Sequence, residues 1–433
     1  MRVSVIGCGY LGAVHAAAMA ELGHDVVGID VDPAKIAQLS AGHPPFFEPG
    51  LPELLTSAVA SGRLRFATDL AEAADAEVHF VAVGTPQAPG SNAANLDYVN
   101  GAVRELFPHL APGSLVVGKS TVPVGTAARL AAELAEAAPQ ASLAWNPEFL
   151  REGFAVKDTL TPDRFVYGVA DDRAAVMLDE VYRTPLATGT PRLITDYATA
   201  ELVKVAANAF LATKISFINA MSEIADATGA DVTALADAIG HDVRIGRRFL
   251  NAGVGFGGGC LPKDIRAFAA RAEELGRGDS LAFLREIDKI NLRQRQRVVD
   301  LAVGMLDGSV NEKRIAVLGV TFKPDSDDVR DSPALDVAVQ LKGLGADVVA
   351  TDPEGIENAR GRHPQLSYVA DTSEALRGAD LVVLVTEWKE YRALDPVATA
   401  ALATGKQVID GRNVLDPTAW RAAGWQYRGM GRP

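Results

Sequence analysis

"RVSVIGCGYLGAVHAAAMAELGHDVVGID", residues 2–30, decides the fold. It opens on a short β-branched run, 2–7, which the pattern predicts as a buried strand. A glycine turn follows, then a helix that stops near Gly23, then a second strand at 25–30. Gly7, Gly9 and Gly12 space the turn as G-C-G-Y-L-G. The first glycine permits the tight turn, the second lets the backbone approach a pyrophosphate, and the third lets the helix pack closely on the strand. Unpaired N–H groups at the helix start, with Tyr10 and Leu11 in its first turn, then face the phosphates. Asp30 ends the second strand, 18 residues after Gly12, where a carboxylate accepts hydrogen bonds from ribose hydroxyls and repels a 2′-phosphate. These features point to NAD rather than NADP. The competing interpretation is a dinucleotide turn that has lost its ligand; the complete strand, helix, strand and acid series weighs against it.

Further along, "EVHFVAVGTP" (77–86) and "SLVVGKSTVP" (114–123) are strands of the same kind with helical segments between them. Strands alternating with helices imply a doubly wound parallel sheet. From about 197 to 300 the pattern is mostly helical, with one long apolar-periodic helix over 199–229 that serves as a spine, a dimer contact or a plain connector. At 313 the α/β pattern returns as an ordered echo of the first half. "KRIAVLGVTFKP" answers "MRVSVIGCGYLG", "LGADVVATDPE" answers "LGHDVVGIDVDP", and "GADLVVLVTEW" answers "DAEVHFVAVGTP". The expected architecture is two Rossmann-like α/β domains, 1–196 and 305–433, joined by a central helical domain, 197–304. "GVTFKP" keeps a turn but lacks the three glycines, so no second NAD site is expected there.

Bulk properties narrow the class. A chain of 433 residues exceeds one ordinary core. A net charge of −13 argues against a nucleic-acid binder, while leaving room for a local cluster of cations around an anionic ligand. No apolar run is long enough for a membrane helix, and the N-terminus reads as a strand rather than a signal peptide. Two cysteines, Cys8 and Cys260, make no disulfide framework, so a reducing, cytoplasmic location is expected. Cys8 reads as a small residue inside the turn. His15 and Lys35 read as exposed, with Lys35 also within reach of the adenosine side.

The second informative stretch is "GFGGGCLPKD", 255–264. Pro262 suits the first position of a helix, which places Cys260 just ahead of its N-terminus. There the helix dipole and Lys263 favour a thiolate, and the glycines remove side chains that would obstruct a ligand. A small cysteine in a glycine loop is the bland alternative. Beside an NAD site, a nucleophilic thiol has a specific use. Oxidation of a primary alcohol gives an aldehyde, which has no alkoxide-bearing tetrahedral carbon from which to lose hydride. Thiol addition makes that carbon as a thiohemiacetal; hydride loss gives a thioester, and water releases the acid.

Three segments supply the remaining groups. Lys204 and Asn208 in "ELVKVAANAF" share one helix face, either as an oxyanion-stabilising pair or as a solvated lysine with an incidental amide. In "NPEFLREG", 146–153, Asn146 suits a helix cap and Pro147 the first helical turn. Glu148 and Glu152 then lie one turn apart, complementing the dipole or supplying a general base. Thr121 in "KSTVPVG" lies at the carboxyl edge of the sheet, where it either hydrogen-bonds a catalytic water or simply ends a strand.

With "FFEPGL", "VGTP", "GVTFKPDSDDVRDSP" and "DGRNVL" added, this ordered set covers nearly the whole chain and resembles the UDP-glucose/GDP-mannose dehydrogenase family, on its UDP-glucose side. The resemblance implies four-electron oxidation of UDP-glucose to UDP-glucuronate with NAD and no metal. It implies Cys260 as thioester-forming nucleophile, Lys204 and Asn208 on the oxyanion, and Asp264 with Thr121 on the water. Glu148 would be general base, and Glu152 would lie near substrate and cofactor. The cofactor side would include Gly7, Gly9, Tyr10, Leu11, Gly12, Asp30, Lys35, Thr85, Thr121, Glu152, Lys263 and Arg330. The nucleotide sugar would meet Glu148, Phe149, Leu150, Arg151, Glu152, Lys204, Asn208, Phe249, Leu250, Asn251, Gly257, Cys260, Phe322, Lys323 and Arg412. Arg244 resembles an arginine that reaches a neighbouring subunit's substrate, and the central helix resembles a homodimer spine. Asn251, Ala252 and Gly253 stand where many bacterial relatives carry an "NNPS"-like run, a departure that bears on sugar contacts rather than on the chemistry.

Beside a non-catalytic NAD sensor or scaffold, against which Lys204, Cys260 and Asp264 weigh, two enzymatic rivals stay open at this level. One is the same reaction on GDP-mannose or another nucleotide sugar, because "NPEFLREG" and "CLPKD" occur on both sides of the family. The other is a two-electron hydroxyacid dehydrogenase, which needs neither the thiol nor the second α/β domain.

Overall fold

The computed structural model describes residues 1–432. The chain forms two compact units, Met1–Ala207 with Ala270–Leu275, and Asn208–Ala269 with Gly276–Pro433. Most of the central helical region thus groups with the second sheet.

The first unit holds eight strands: β1 (Arg2–Ile6), β2 (Asp25–Ile29), β3 (Leu64–Ala67), β4 (Val78–Val81), β5 (Leu115–Gly118), β6 (Ser142–Trp145), β7 (Phe165–Val169) and β8 (Arg192–Thr195). They pair in the order β3-β2-β1-β4-β5-β6-β7-β8, all parallel except β6 against β7. β1, β4 and β5 are almost wholly buried because helices cover both faces, so they read as continuous apolar runs rather than alternating ones. The first helix, Tyr10–Glu21, follows β1 directly; its alanines let it lie flat on the sheet, and nine consecutive residues from Gly12 to Ala20 are buried.

The second unit carries β9 (Arg314–Leu318), β10 (Asp347–Thr351), β11 (Ser367–Tyr368), β12 (Leu381–Leu384), β13 (Gln407–Asp410) and β14 (Gln426–Gly429), paired β11-β10-β9-β12-β13-β14, all parallel. In both sheets strand order reverses beside the first strand, between β1 and β4 and between β9 and β12, the switch point where α/β sheets place ligands. The sequence echo is therefore a repeat of topology.

Three helices matter for the chemistry. A 32-residue helix, Tyr197–Thr228, is here called the long helix. The cysteine helix spans Leu261–Glu274, and the buttress helix spans Ala282–Met305. Among the described residues no helix is long and apolar enough to cross a membrane.

Candidate active site

Each glycine of the first turn has its own reason. Gly7 adopts φ +89°, its N–H donates to Ile29 O at 2.7 Å, and a Cβ there would stand 2.7 Å from Val83 Cγ1. A Cβ on Gly12 would run into the carbonyl oxygen of Gly7. Around Gly9 nothing lies within 4 Å of a Cβ position, so the backbone there is open to a ligand. Its carbonyl accepts the N–H of Ala13 at 2.9 Å, which starts the helix and leaves the earlier N–H groups available. A dinucleotide pyrophosphate fits this cradle.

Asp30 is buried, accepts from Cys8 N at 2.8 Å and Asp32 N at 3.1 Å, and pairs with Lys35 Nζ at 2.8 Å. A carboxylate accepts about four hydrogen bonds, so capacity for a ribose hydroxyl remains. The equivalent acid of the second sheet, Asp352, differs. Its Oδ2 accepts from Val320 N, Thr321 N, Thr321 Oγ1 and Trp388 Nε1, and its Oδ1 from Glu354 N and Gly355 N. That acid is saturated by its own fold and keeps no capacity for a ribose hydroxyl. Lys35 is ion-paired rather than solvated. His15 was expected exposed but is buried edge-on against Phe80, ring centroids 4.4 Å apart, and burial keeps it neutral. Burial, with Asp30 next, pushes the Cys8 thiol up to about 12, so Cys8 is inert packing.

The hydroxyl of Tyr10 bonds to Glu48, which the sequence reading passed over inside "FFEPGL". Glu48 is buried and also accepts from Gly153 N at 2.6 Å and Ala155 N at 2.7 Å, tying the nucleotide turn to the 146–153 segment. Leu11 is half-buried beside Tyr10, and Thr85 is buried after β4.

That segment is not the helix expected; the helix begins only at Ala155. Asn146 caps nothing, because its Oδ1 accepts from Lys119 Nζ at 3.0 Å and Tyr182 Oη at 2.8 Å while its Nδ2 donates to Val166 O. The segment's extended course places Glu148 so that Oε1 meets Lys204 Nζ at 2.8 Å and Oε2 accepts from Leu150 N at 2.7 Å. Lys204 is buried, so this is a largely desolvated ion pair. Phe149 stacks under the Arg164 guanidinium at 3.9 Å, with Lys204 Nζ 5.7 Å from the same ring. Glu152 is buried, Leu150 is half-buried, and Arg151 is exposed and forked onto Asp158. Thr121 is half-buried two residues beyond Lys119.

Lys119 was missed although its motif was noted. Its ammonium is buried between the rings of Phe80 and Tyr182, at 5.7 and 5.8 Å, and donates to two neutral groups, Asn146 Oδ1 and Tyr182 Oη. Burial lowers it to about 8, against the pull of Glu148 and with the push of Lys204. The unfolded chain holds this proton more tightly, so stability rises with pH between about 8 and the ordinary 10.5. At 1.36 kcal/mol per unit the gain is about 3 kcal/mol. Denaturant titrations should show the wild type gaining that much on Lys119→Met across the window; parallel pH curves would refute it.

In the second unit, the Cys260 carbonyl accepts the N–H of Asp264 at 3.0 Å, so Cys260 caps the cysteine helix and Pro262 is its second residue, one later than expected. Cys260 is exposed, in contrast to Cys8. Asp264 is buried; its Oδ2 accepts from Asn208 Nδ2 at 2.7 Å and its Oδ1 pairs with Lys263 Nζ at 2.5 Å. Asn208 lies one turn beyond Lys204 on the long helix. The glycines before Cys260 serve another end than leaving room for a ligand. A Cβ on Gly255 would meet Asn291 Oδ1 at 2.5 Å, on Gly258 the Phe322 ring at 2.7 Å, on Gly257 the Asp331 carbonyl, and on Gly259 the Arg330 guanidinium. The loop is threaded through protein.

Arg412 donates to Val385 O at 2.8 Å, Gly255 O at 2.9 Å and Phe322 O at 3.1 Å, and its Nε lies 3.1 Å from Glu387. It gathers the Phe322 and Gly255 loops. Lys323 Nζ lies 5.2 Å from the Phe322 ring centroid. Arg330 forks onto Asp328. Phe249 holds φ +66°, costly for a bulky residue, between buried Leu250 and exposed Arg248. Arg247 donates to Leu250 O and Asn251 Oδ1, both at 2.8 Å. Arg244 is exposed and pairs with Asp242. Among the described residues no group of three or more His, Cys, Asp or Glu could hold a metal ion.

Family models match three consecutive regions. These are the NAD binding domain of the UDP-glucose/GDP-mannose dehydrogenase family over 1–186, its central domain over 198–293 and its UDP binding domain over 316–417. A UDP-glucose 6-dehydrogenase of Rhizobium meliloti is 42% identical over 438 residues, covering all of both chains. A UDP-glucose 6-dehydrogenase of Bacillus subtilis, YwqF, is 41% identical over 437 residues, covering all of this chain and 98% of its own. The solved structure of a UDP-glucose dehydrogenase from Pyrobaculum islandicum superposes with TM-score 0.91 at 41% identity, covering 100% of this chain and 98% of that one. With a fitted dinucleotide turn, a thiol at a helix start and all three domain models in order, the chain belongs to the UDP-glucose/GDP-mannose dehydrogenase family.

Proposed function

We propose that the protein is a UDP-glucose 6-dehydrogenase, oxidising the sugar's C6 alcohol to the carboxylate with two NAD reduced and one water consumed per sugar. The observation that carries this reading is the exposed Cys260 capping a helix whose buried Asp264 holds the Asn208 amide. When bound, NAD would supply the hydride acceptor for each of the two oxidations. Lys204 and Asn208 donate hydrogen bonds to the oxygen that bears negative charge. The Cys260 sulfur adds to the aldehyde carbon, forming a C–S bond and a thiohemiacetal; loss of the second hydride leaves a thioester. Glu148 takes a proton from water as it attacks, the C–S bond breaks, and the thiolate is restored. Asp264 orients the Asn208 amide and, with Thr121, the water.

Asp30 and Lys35 bind the adenosine ribose, with Gly7 to Gly12 on the pyrophosphate; Thr85, Glu152, Lys263 and Arg330 line the cofactor. Lys323 and the Phe322 loop, gathered by Arg412, bind the uridine diphosphate, and Phe249 to Gly257 with Phe149 to Arg151 border the sugar. We place the reaction in the cytoplasm, where the thiol stays reduced. The reading extends to a homodimer. Phe210, Phe217 and Ile224 recur every seventh residue on the long helix and are 67, 47 and 58% exposed, an apolar stripe suited to a second copy. A monomeric sedimentation coefficient would contradict that.

The test is the NADH yield. Purified protein with limiting UDP-glucose should form two NADH per sugar and little or none with GDP-mannose. One NADH per sugar, or preference for GDP-mannose, would overturn the assignment.

A further inference from the structure

A loop with glycines at 255, 257, 258 and 259 has more backbone freedom than a nucleophile can tolerate. We propose that Asn291 of the buttress helix is the positioning residue that fixes this loop and so aims Cys260; this rests on Cys260 being the nucleophile. Asn291 is fully buried. Its Oδ1 accepts the Phe256 N–H at 2.7 Å and its Nδ2 donates to the Phe256 carbonyl at 2.9 Å. The side-chain amide thus satisfies both polar groups of one residue, as a paired strand would. Arg295, one turn further on, donates to the same carbonyl at 3.3 Å and to Asp331 O at 3.4 Å, and pairs with Asp331 at 2.9 Å and Asp336 at 3.2 Å. Two residues later the Gly258 N–H donates to Arg330 O at 2.9 Å. The Phe256 ring is buried with Ile265, Leu284 and Ile287. The chain is therefore held at 256 and again at 258, and the cysteine helix begins immediately after Cys260. Gly255, at φ +99°, is what lets the Asn291 amide come this close.

Asn291→Asp keeps the shape and removes the donor, setting a carboxylate oxygen against the Phe256 carbonyl. Misplacing a reacting group by about 1 Å costs on the order of 10²-fold in rate. The expected result is kcat reduced roughly 10- to 100-fold, a smaller rise in KM for UDP-glucose because Phe256 lies in the stretch that borders the sugar, and a change of about tenfold or more in Cys260 alkylation by iodoacetamide. The dissociation constant for NAD, carried mainly by Asp30 and the Gly7 to Gly12 turn, should stay within about twofold. Should N291D be insoluble, Asn291→Ser, whose hydroxyl serves one Phe256 group and not both, carries the same expectation. A folded variant with wild-type kcat and wild-type alkylation rate overturns the clamp alone. Alkylation of wild-type Cys260 without loss of activity overturns instead the role assigned to the thiol.

Discussion

Cys260→Ser should abolish steady-state formation of the uronic acid, lowering kcat by on the order of 10³-fold or more, about 4 kcal/mol of barrier. Serine keeps the size and the helix-capping carbonyl, so the loop and the cysteine helix remain. A serine hydroxyl holds its proton far more tightly than a thiol, so it is a weaker nucleophile, and its alkoxide is a poorer leaving group than a thiolate. A two-electron dehydrogenase using this fold would keep turning over, because it never needs a covalent aldehyde adduct. Turnover of the serine variant within tenfold of wild type would refute the thioester route. The assay must follow acid as well as NADH, since the first oxidation can still release reducing equivalents.

Glu148→Gln is the second large effect. The amide keeps one acceptor oxygen, for either Lys204 Nζ or Leu150 N, which lie 2.8 and 2.7 Å from the two carboxylate oxygens, and it cannot take a proton from water. If Glu148 is the general base, hydrolysis slows by on the order of 10²- to 10⁴-fold while the two oxidations proceed. Pre-steady-state traces should then show a burst of NADH equal to two per active site followed by a slow phase. Loss of the burst itself would assign Glu148 to the oxidations instead. Breaking a buried pair by removing one charge typically costs about 3–5 kcal/mol, so the melting temperature must be checked beside the kinetics. The glutamine, which keeps the size and one of the two hydrogen bonds, limits that loss.

Legibility in the sequence followed range. The nucleotide turn was readable because its physics is local: three glycines, a helix start and an acid at the end of the next strand all lie within 30 residues. The repeat of that pattern exposed the second sheet for the same reason. β3, "LRFA", and β6, "SLAW", escaped because they lack the β-branched residues that mark the equally short β4, "VHFV", and β5, "LVVG". The 146–153 segment was misread because Asn, Pro and Glu follow the local grammar of a helix start, while the Asn146 amide is claimed by Lys119 and Tyr182, 27 and 36 residues away. His15 is polar on paper and buried in fact because the first helix presents that face to Phe80. The glycines before Cys260 were assigned to ligand access, and the Asn291 contact that explains Gly255 comes from another helix 35 residues on. Glu48 and Lys119, both buried and charged, were the residues a search for acids and amines within apolar surroundings would have found.

Covalent attachment at residue 260 can be observed directly. E148Q incubated with UDP-glucose and NAD, then acid-quenched and digested, should yield the peptide bearing Cys260 with the mass of an acyl-linked UDP-glucuronyl group, removable by hydroxylamine. An unmodified Cys260 peptide, recovered while two NADH per site had already formed, would contradict the account.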